Sequence, residues 1–275
     1  MRMHYQTNGG FSILDMITLM AVITILFSLA LPLLTSSRDI AWQTSCIENQ
    51  KKLTGALTAY AADHEDEILP SLALPAGGFW QFPYIHDKLT SLEARNIVQD
   101  LFKESSPLFP YIQKVDIIHC PGDYRASKWK PTAGWAYDSY AKLNPMNGQG
   151  WQSPFQTPFT KTSDIKVPAL TLSFVESSDP RDYNRGTWVM NVGPSPSWVD
   201  TFGIFHGSES SFSYNDGHAE VHTWRDDQLI KAAIDSSNGT LSFFWPRGNI
   251  ENPDYRWVHQ RYRFQGWQPL KRPQE

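Results

Sequence analysis

The feature that most limits what this chain can become is one apolar run near its start. Phe11 to Leu34 reads FSILDMITLMAVITILFSLALPLL, 24 residues carrying a single charge, Asp15. As a helix the run would extend about 36 Å, enough to cross a bilayer with some tilt. No other stretch of the chain approaches it in length. An acid five residues into such a run is costly in lipid and therefore asks for a function.

Simpler identities for the run fit less well. A cleaved secretory signal has a shorter apolar core and ends at a small-residue site, whereas this run ends in Leu-Pro-Leu-Leu. A plain single-span anchor or a buried core helix leaves Asp15 unexplained. Composition excludes other classes. Mean hydropathy is −0.41, which is incompatible with several membrane spans. A net charge of −4 does not suggest a broad nucleic-acid surface, so no nucleic-acid partner is expected. Two cysteines allow one disulfide but no four-cysteine zinc site.

The residues Gly10-Phe11-Ser12-Ile13-Leu14-Asp15 resemble the prepilin cleavage site of type IV pilins and type II secretion pseudopilins. In that family a short polar leader ends in Gly, the mature chain begins with Phe, and an acid stands fifth. Pro32 falls at mature position 22, where many members carry a proline. The resemblance implies cleavage between Gly10 and Phe11 by a prepilin peptidase and N-methylation of the freed Phe11 amine. It also implies that Asp15 sets registry against that amine in a neighbouring subunit. Two departures are visible: the family's acid is normally Glu, and the leader holds only Arg2 as a certain cation. Membrane lipid and other pilin or pseudopilin subunits are the implied partners.

The helical pattern continues past the run. Leu53, Ala56, Leu57, Tyr60 and Ala61 form a stripe at helical spacing, and Leu69-Pro70 ends it. One helix from about Phe11 to about His64 is expected, kinked at Pro32. The stretch Cys46-x-x-Asn49-x-x-Lys52-Leu53-x-x-Ala56-x-x-x-Tyr60 is similar to the segment after the span in a pseudopilin-like family with a large C-terminal head.

The head reads as short strands, turns and a few helices. Residues 93–104 have helical spacing, and 106–112 could add a short turn of helix. Strands are expected at 135–143 and 170–176. Residues 115–123, ending in Cys120-Pro121-Gly122-Asp123, resemble that head family's strand followed by a Cys-Pro-x-Asp turn, which implies a strand at 115–119. Nine residues separate His206 from Asp216-Gly217, similar to the His-x(nine)-Asp-Gly signature of the same family. By residue type this segment is a hairpin: Phe212 and Tyr214 alternate with serines, Asn215-Asp216-Gly217 turns, and Ala219 and Val221 alternate with polar residues. A short helix is expected at 226–234.

Several site chemistries are open to these residue types. His206, Asp216, His218 and His222 could supply metal ligands, but a structural role is favoured for the motif, and no metal or other cofactor is expected. The chain lacks a G-x-S-x-G elbow and no catalytic residue is assigned, so it reads as a non-enzyme. Cys46 and Cys120 either form a disulfide, closing a loop worth about 4 kcal/mol in the chain-entropy model, or remain two buried thiols. Trp135, Trp151, Trp188 and Trp198 lie near turn-rich segments, where they either face sugars or fill the core, and the core is favoured.

The sequence thus predicts an α+β, pilin-like fold: a long N-terminal α-helix, its first half transmembrane, packed on a mainly antiparallel head. The expected divisions are a leader at 1–10, a membrane half at 11–34, an amphipathic extension at 35–65 and an extracytoplasmic head at 66–275. The expected place is the inner membrane, single pass, with a cytoplasmic N-terminus. The function expected is a structural subunit or minor pseudopilin of a type II secretion or type IV pilus-like assembly. The alternative is an anchored carbohydrate-binding protein that uses the prepilin signal for export.

Overall fold

A computed structural model describes residues 12–71, 85–179, 186–240, 243, 245 and 247–270, with only the backbone of 29–37. It falls into two compact units, residues 1–41 and 42–275. Helix α1 (Ile13–Asp63) supplies the first and continues into the second.

In the first unit α1 begins with reciprocal hydrogen bonds. The Ser12 backbone N–H donates to Asp15 Oδ2 at 2.9 Å, and the Asp15 N–H donates to Ser12 Oγ at 3.2 Å. This is a capping box with Asp in the usual Glu position, and it satisfies two backbone donors that a helix start leaves open. Large apolar side chains from Ile13 to Phe27 all stand in solvent; Ile13 is 79%, Leu14 70% and Met20 66% exposed.

Helix α1 does not supply the membrane-spanning half expected of it. Among the described residues no helix is long and apolar enough to cross a membrane. The described apolar side chains from Ile13 to Phe27 cover about 22 Å, short of the roughly 30 Å of a hydrocarbon core. They are also interrupted by Asp15, Thr18 and Thr24. The two threonine hydroxyls turn back on their own helix, Thr18 to the Leu14 carbonyl and Thr24 to that of Met20. The single-pass inner-membrane placement falls with the span. Helix α1 continues through Pro32, whose side chain lies outside the described residues.

The second unit is α+β. Strands β1 (Tyr140–Lys142), β2 (Leu172–Glu176), β5 (Glu209–Tyr214) and β6 (Ala219–Thr223) form one antiparallel sheet in the order β1-β2-β5-β6. Strands β3 (Met190–Asn191) and β4 (Ser197–Trp198) form a small second sheet. The other helices are α2 (Ser91–Ser105), α3 (Phe109–Ile112), α4 (Arg125–Lys128), α5 (Asp227–Ser237) and α6 (Pro253–Arg261).

Alternation along the strands explains why both sheet faces are covered. On β5, Phe212 and Tyr214 join a core with Trp188, Trp198, Phe202, Trp224 and Tyr255. Ser211 and Ser213 point the other way, toward α1, where Gln50 donates to Ser211 Oγ at 2.8 Å and Thr54 to Ser213 Oγ at 2.8 Å. Cys46, Leu53, Ala56 and Leu57 of α1 pack with Tyr140 and Phe174 in a second core. On β2, Leu172 and Val175 share the first core although three residues apart. A register shift between Leu172 and Phe174 accounts for the lost parity.

A third cluster gathers Ala94, Val98 and Phe102 of α2 with Ile118, Trp135 and Tyr137. Thr90 and Glu93 form a complete capping box at the start of α2. The segment expected as a strand at 115–119 is a 3-10 turn, Val115–Ile118. The chain turns back on itself there, the His119 N–H donating to the Asp116 carbonyl at 3.1 Å, and Ile117 and Ile118 enter different clusters. The expected strand at 135–143 shrinks to β1, because Trp135 and Tyr137 are drawn into the α2 cluster.

Candidate functional site

The two ends of the family-like motif separate in space along the chain. His206 precedes the turn into β5, where the Glu209 N–H donates to its carbonyl at 3.1 Å. Asp216 and Gly217 form the far turn between β5 and β6. The Gly217 N–H donates to the Tyr214 carbonyl at 2.9 Å, and Gly217 adopts φ +94°, a conformation that favours glycine. Asp216 Oδ1 accepts from the His218 N–H at 3.1 Å and lies 2.6 Å from His218 Nδ1. Backbone and side-chain hydrogen bonds from His218 hold the Asp216 carboxyl below its ordinary pKa, outweighing desolvation. His222 instead meets Asp254, at 3.2 Å. The four residues weighed as metal ligands are therefore dispersed over three places.

His206 belongs to a different centre, which the sequence did not join. Cys46 of α1 and Cys120 form a disulfide with Cα atoms 5.3 Å apart. His206 Nε2 lies 3.1 Å from Cys120 Sγ, 3.2 Å from Cys46 Sγ and 3.3 Å from Glu176 Oε1. All four residues are buried.

Each is positioned by local structure. Cys120 opens the Cys120-Pro121-Gly122-Asp123 turn, closed by the Asp123 N–H to the Cys120 carbonyl at 2.9 Å. Proline suits the second place of such a turn because its φ is already set. Gly122 is required by contact: a Cβ there would lie 2.8 Å from His206 Cε1 and 2.8 Å from the Phe205 carbonyl. Glu176 ends β2, and its carboxylate accepts from the Ser211 N–H at 3.0 Å and the Ser211 hydroxyl at 2.9 Å. Burial, reinforced by the Glu176 charge, pushes the Tyr140 phenol well above its usual pKa, so it stays neutral beside the centre.

Below the turn lies a buried ion pair. Arg125 Nη2 donates to Asp123 Oδ2 at 2.7 Å and Nε to Oδ1 at 3.0 Å. The same guanidinium donates to the carbonyls of Asp138, Ser177 and Asp179. Ser139 links the pair to the disulfide: its hydroxyl donates to Asp123 Oδ2 at 2.7 Å and accepts from the Cys120 N–H at 3.0 Å. Desolvation opposes the Arg125 charge, yet the Asp123 carboxylate outweighs it and raises its pKa. Sequence reasoning missed Glu176 and Arg125. Only the Cys-Pro-x-Asp turn hinted at either, through Asp123.

The remaining expected site residues have simpler places. Gly10 and Phe11 lie outside the described residues. Asp15 caps α1. Trp135, Trp188 and Trp198 are fully buried and cannot present rings to a sugar, while half-buried Trp151 donates from Nε1 to Asn191 Oδ1 at 3.0 Å. Compared with protein families, curated proteins and solved structures, the chain matches none.

Proposed function

We propose that this chain is a structural subunit of a pilin-like assembly of the type II secretion pseudopilus or type IV pilus kind. Its N-terminal helix would be the element that other subunits cover. The observation carrying this reading is the run of exposed large apolar side chains from Ile13 to Phe27 on a well-formed helix. A helix apolar on all sides is stable when surrounded, and packing against like helices of other subunits surrounds it. The sequence before it, Gly10-Phe11, supports the same reading by its resemblance to a prepilin processing site. Cleavage there would free an amine one residue from Ser12, whose N–H already meets the Asp15 carboxylate.

Mass spectrometry of the chain isolated from its native cells tests the proposal. A mature N-terminus at N-methyl-Phe11 is expected; an intact Met1 in the assembled protein would overturn it. Replacing Ile17 or Met20 by Lys is expected to abolish co-purification with partner subunits. Asp15→Ala should assemble less well than wild type, and equal assembly would remove Asp15 from any registry role.

A further inference from the structure

We propose that Cys46, Cys120, Glu176 and His206 form a metal site for a divalent, thiolate-seeking cation of the Zn2+ class when the disulfide is reduced. The disulfide is then the oxidised, metal-free form of the same centre. This goes beyond the assembly role and does not depend on it.

The geometry is that of a tetrahedral site closed on one edge. The four ligand atoms lie within 4.8 Å of one another. In a tetrahedral zinc site, with Zn–N about 2.0 Å and Zn–S about 2.3 Å, neighbouring ligand atoms stand about 3.3–3.8 Å apart. The three separations from His206 Nε2, at 3.1, 3.2 and 3.3 Å, already approach that spacing. Of the other three edges the sulfur–sulfur one is held short by the bond, and opening it lets that edge lengthen to match.

The surroundings fit ligands better than they fit a disulfide alone. A disulfide needs neither an imidazole nor a carboxylate beside it. His206 Nδ1 has no hydrogen-bond partner, so the buried ring engages its surroundings through Nε2, which is aimed at both sulfurs and the carboxylate. Glu176 is oriented by the Ser211 N–H and hydroxyl, the kind of outer support that ligating carboxylates have.

The redox step is conventional. A dithiol reductant gives two electrons and two protons to the Cys46–Cys120 bond and becomes a disulfide itself. Cys46 and Cys120 become thiols, and the incoming cation displaces their two protons. Because the centre is buried, loading accompanies folding or local opening, and release to a chelator is slow.

The test uses the full chain. It is reduced with a dithiol, freed of it under nitrogen, and titrated with Co2+ alone. The expected result is stoichiometric binding with the visible and sulfur-to-cobalt bands of a tetrahedral thiolate site, displaced by Zn2+. The oxidised chain should show no such bands, and His206→Ala and Glu176→Gln should bind more than about tenfold more weakly. Far-ultraviolet circular dichroism follows folding in parallel. A reduced chain that unfolds and is refolded by Zn2+ supports the site. The proposal is overturned if reduced, folded chain takes up no more cation than oxidised chain, or if Zn2+ fails to refold a reduced chain that has unfolded. It is also overturned if a Cys46→Ser/Cys120→Ser chain gives the same cobalt spectrum.

Discussion

The two units treat apolar residues in opposite ways. Among the described residues of 42–275 most large apolar side chains find partners within the chain, in three clusters, two of which include sheet residues. In residues 1–41 the described large apolar side chains are all exposed. The second unit is satisfied by its own sequence, whereas the first leaves apolar surface exposed. The same chemistry, leucines and isoleucines at helical spacing, is buried core in one unit and exposed surface in the other.

Substitutions can break that contrast, beginning with the largest effect. Arg125→Ala leaves Asp123 buried and uncompensated, which costs about 3–5 kcal/mol. It also removes donors from three carbonyls, at about 1 kcal/mol each. The expected outcome is a second unit that fails to give a cooperative melting transition at any pH. A cooperative transition within a few degrees of wild type would show that this unit does not rely on its buried pair.

Removing the disulfide comes next. The bond spans 74 positions, and its loss in Cys46→Ala/Cys120→Ala should destabilise the folded chain by about 4 kcal/mol in denaturant titrations. A loss below about 1 kcal/mol would mean that the α1 stripe docks without the staple.

Acid should act on the second unit more gently. Burial holds His259 at about 4, below its usual 6.5, and His119 is also lowered, chiefly by desolvation. Between these values the unfolded chain binds more protons than the folded one. Stability is therefore complete above about pH 6.5 and falls as pH drops toward 4. His259→Phe should flatten that slope in melting experiments, and an unchanged slope would remove His259 as its source.

The smallest effect on stability belongs to the first unit. Ile17→Lys should change the unfolding free energy by less than about 0.5 kcal/mol, since the side chain has nothing to lose within the chain. A large loss would show that the exposed helix is supported internally after all.

Much of the second unit was legible because its period is local. The stripe at Leu53, Ala56, Leu57 and Ala61 is buried where the spacing put it, with Tyr60 half-buried. The β5–β6 hairpin follows its serine and aromatic alternation, and α5 begins one residue after its Asp226 cap. Helix α6 went unread although Asn252-Pro253 carries both a cap and a first-turn proline; the cap accepts from the Asp254 and Tyr255 N–H groups. The centre around His206 was only half legible. Cys46, Cys120 and His206 stand out by residue type, but Glu176 ends an otherwise ordinary strand. Only the pairing of β1, β2 and β5 brings it beside them. The apolar run misled about membrane crossing because hydropathy reports what a segment avoids and not what covers it.

The disulfide also decides how the chain carries mechanical load. A pull on any residue before Cys46 passes through the sulfur bridge to Cys120 and bypasses everything between them. The last turns of α1, all of α2 and α3, and the 3-10 turn at Val115–Ile118 sit inside a covalent ring that tension cannot open. With 74 residues withheld, the stretched chain is shorter by about 250 Å than its length alone allows. A chain towed by its N-terminal helix would then behave as a short tether ending in a locked knot, and reduction would release the hidden length at once.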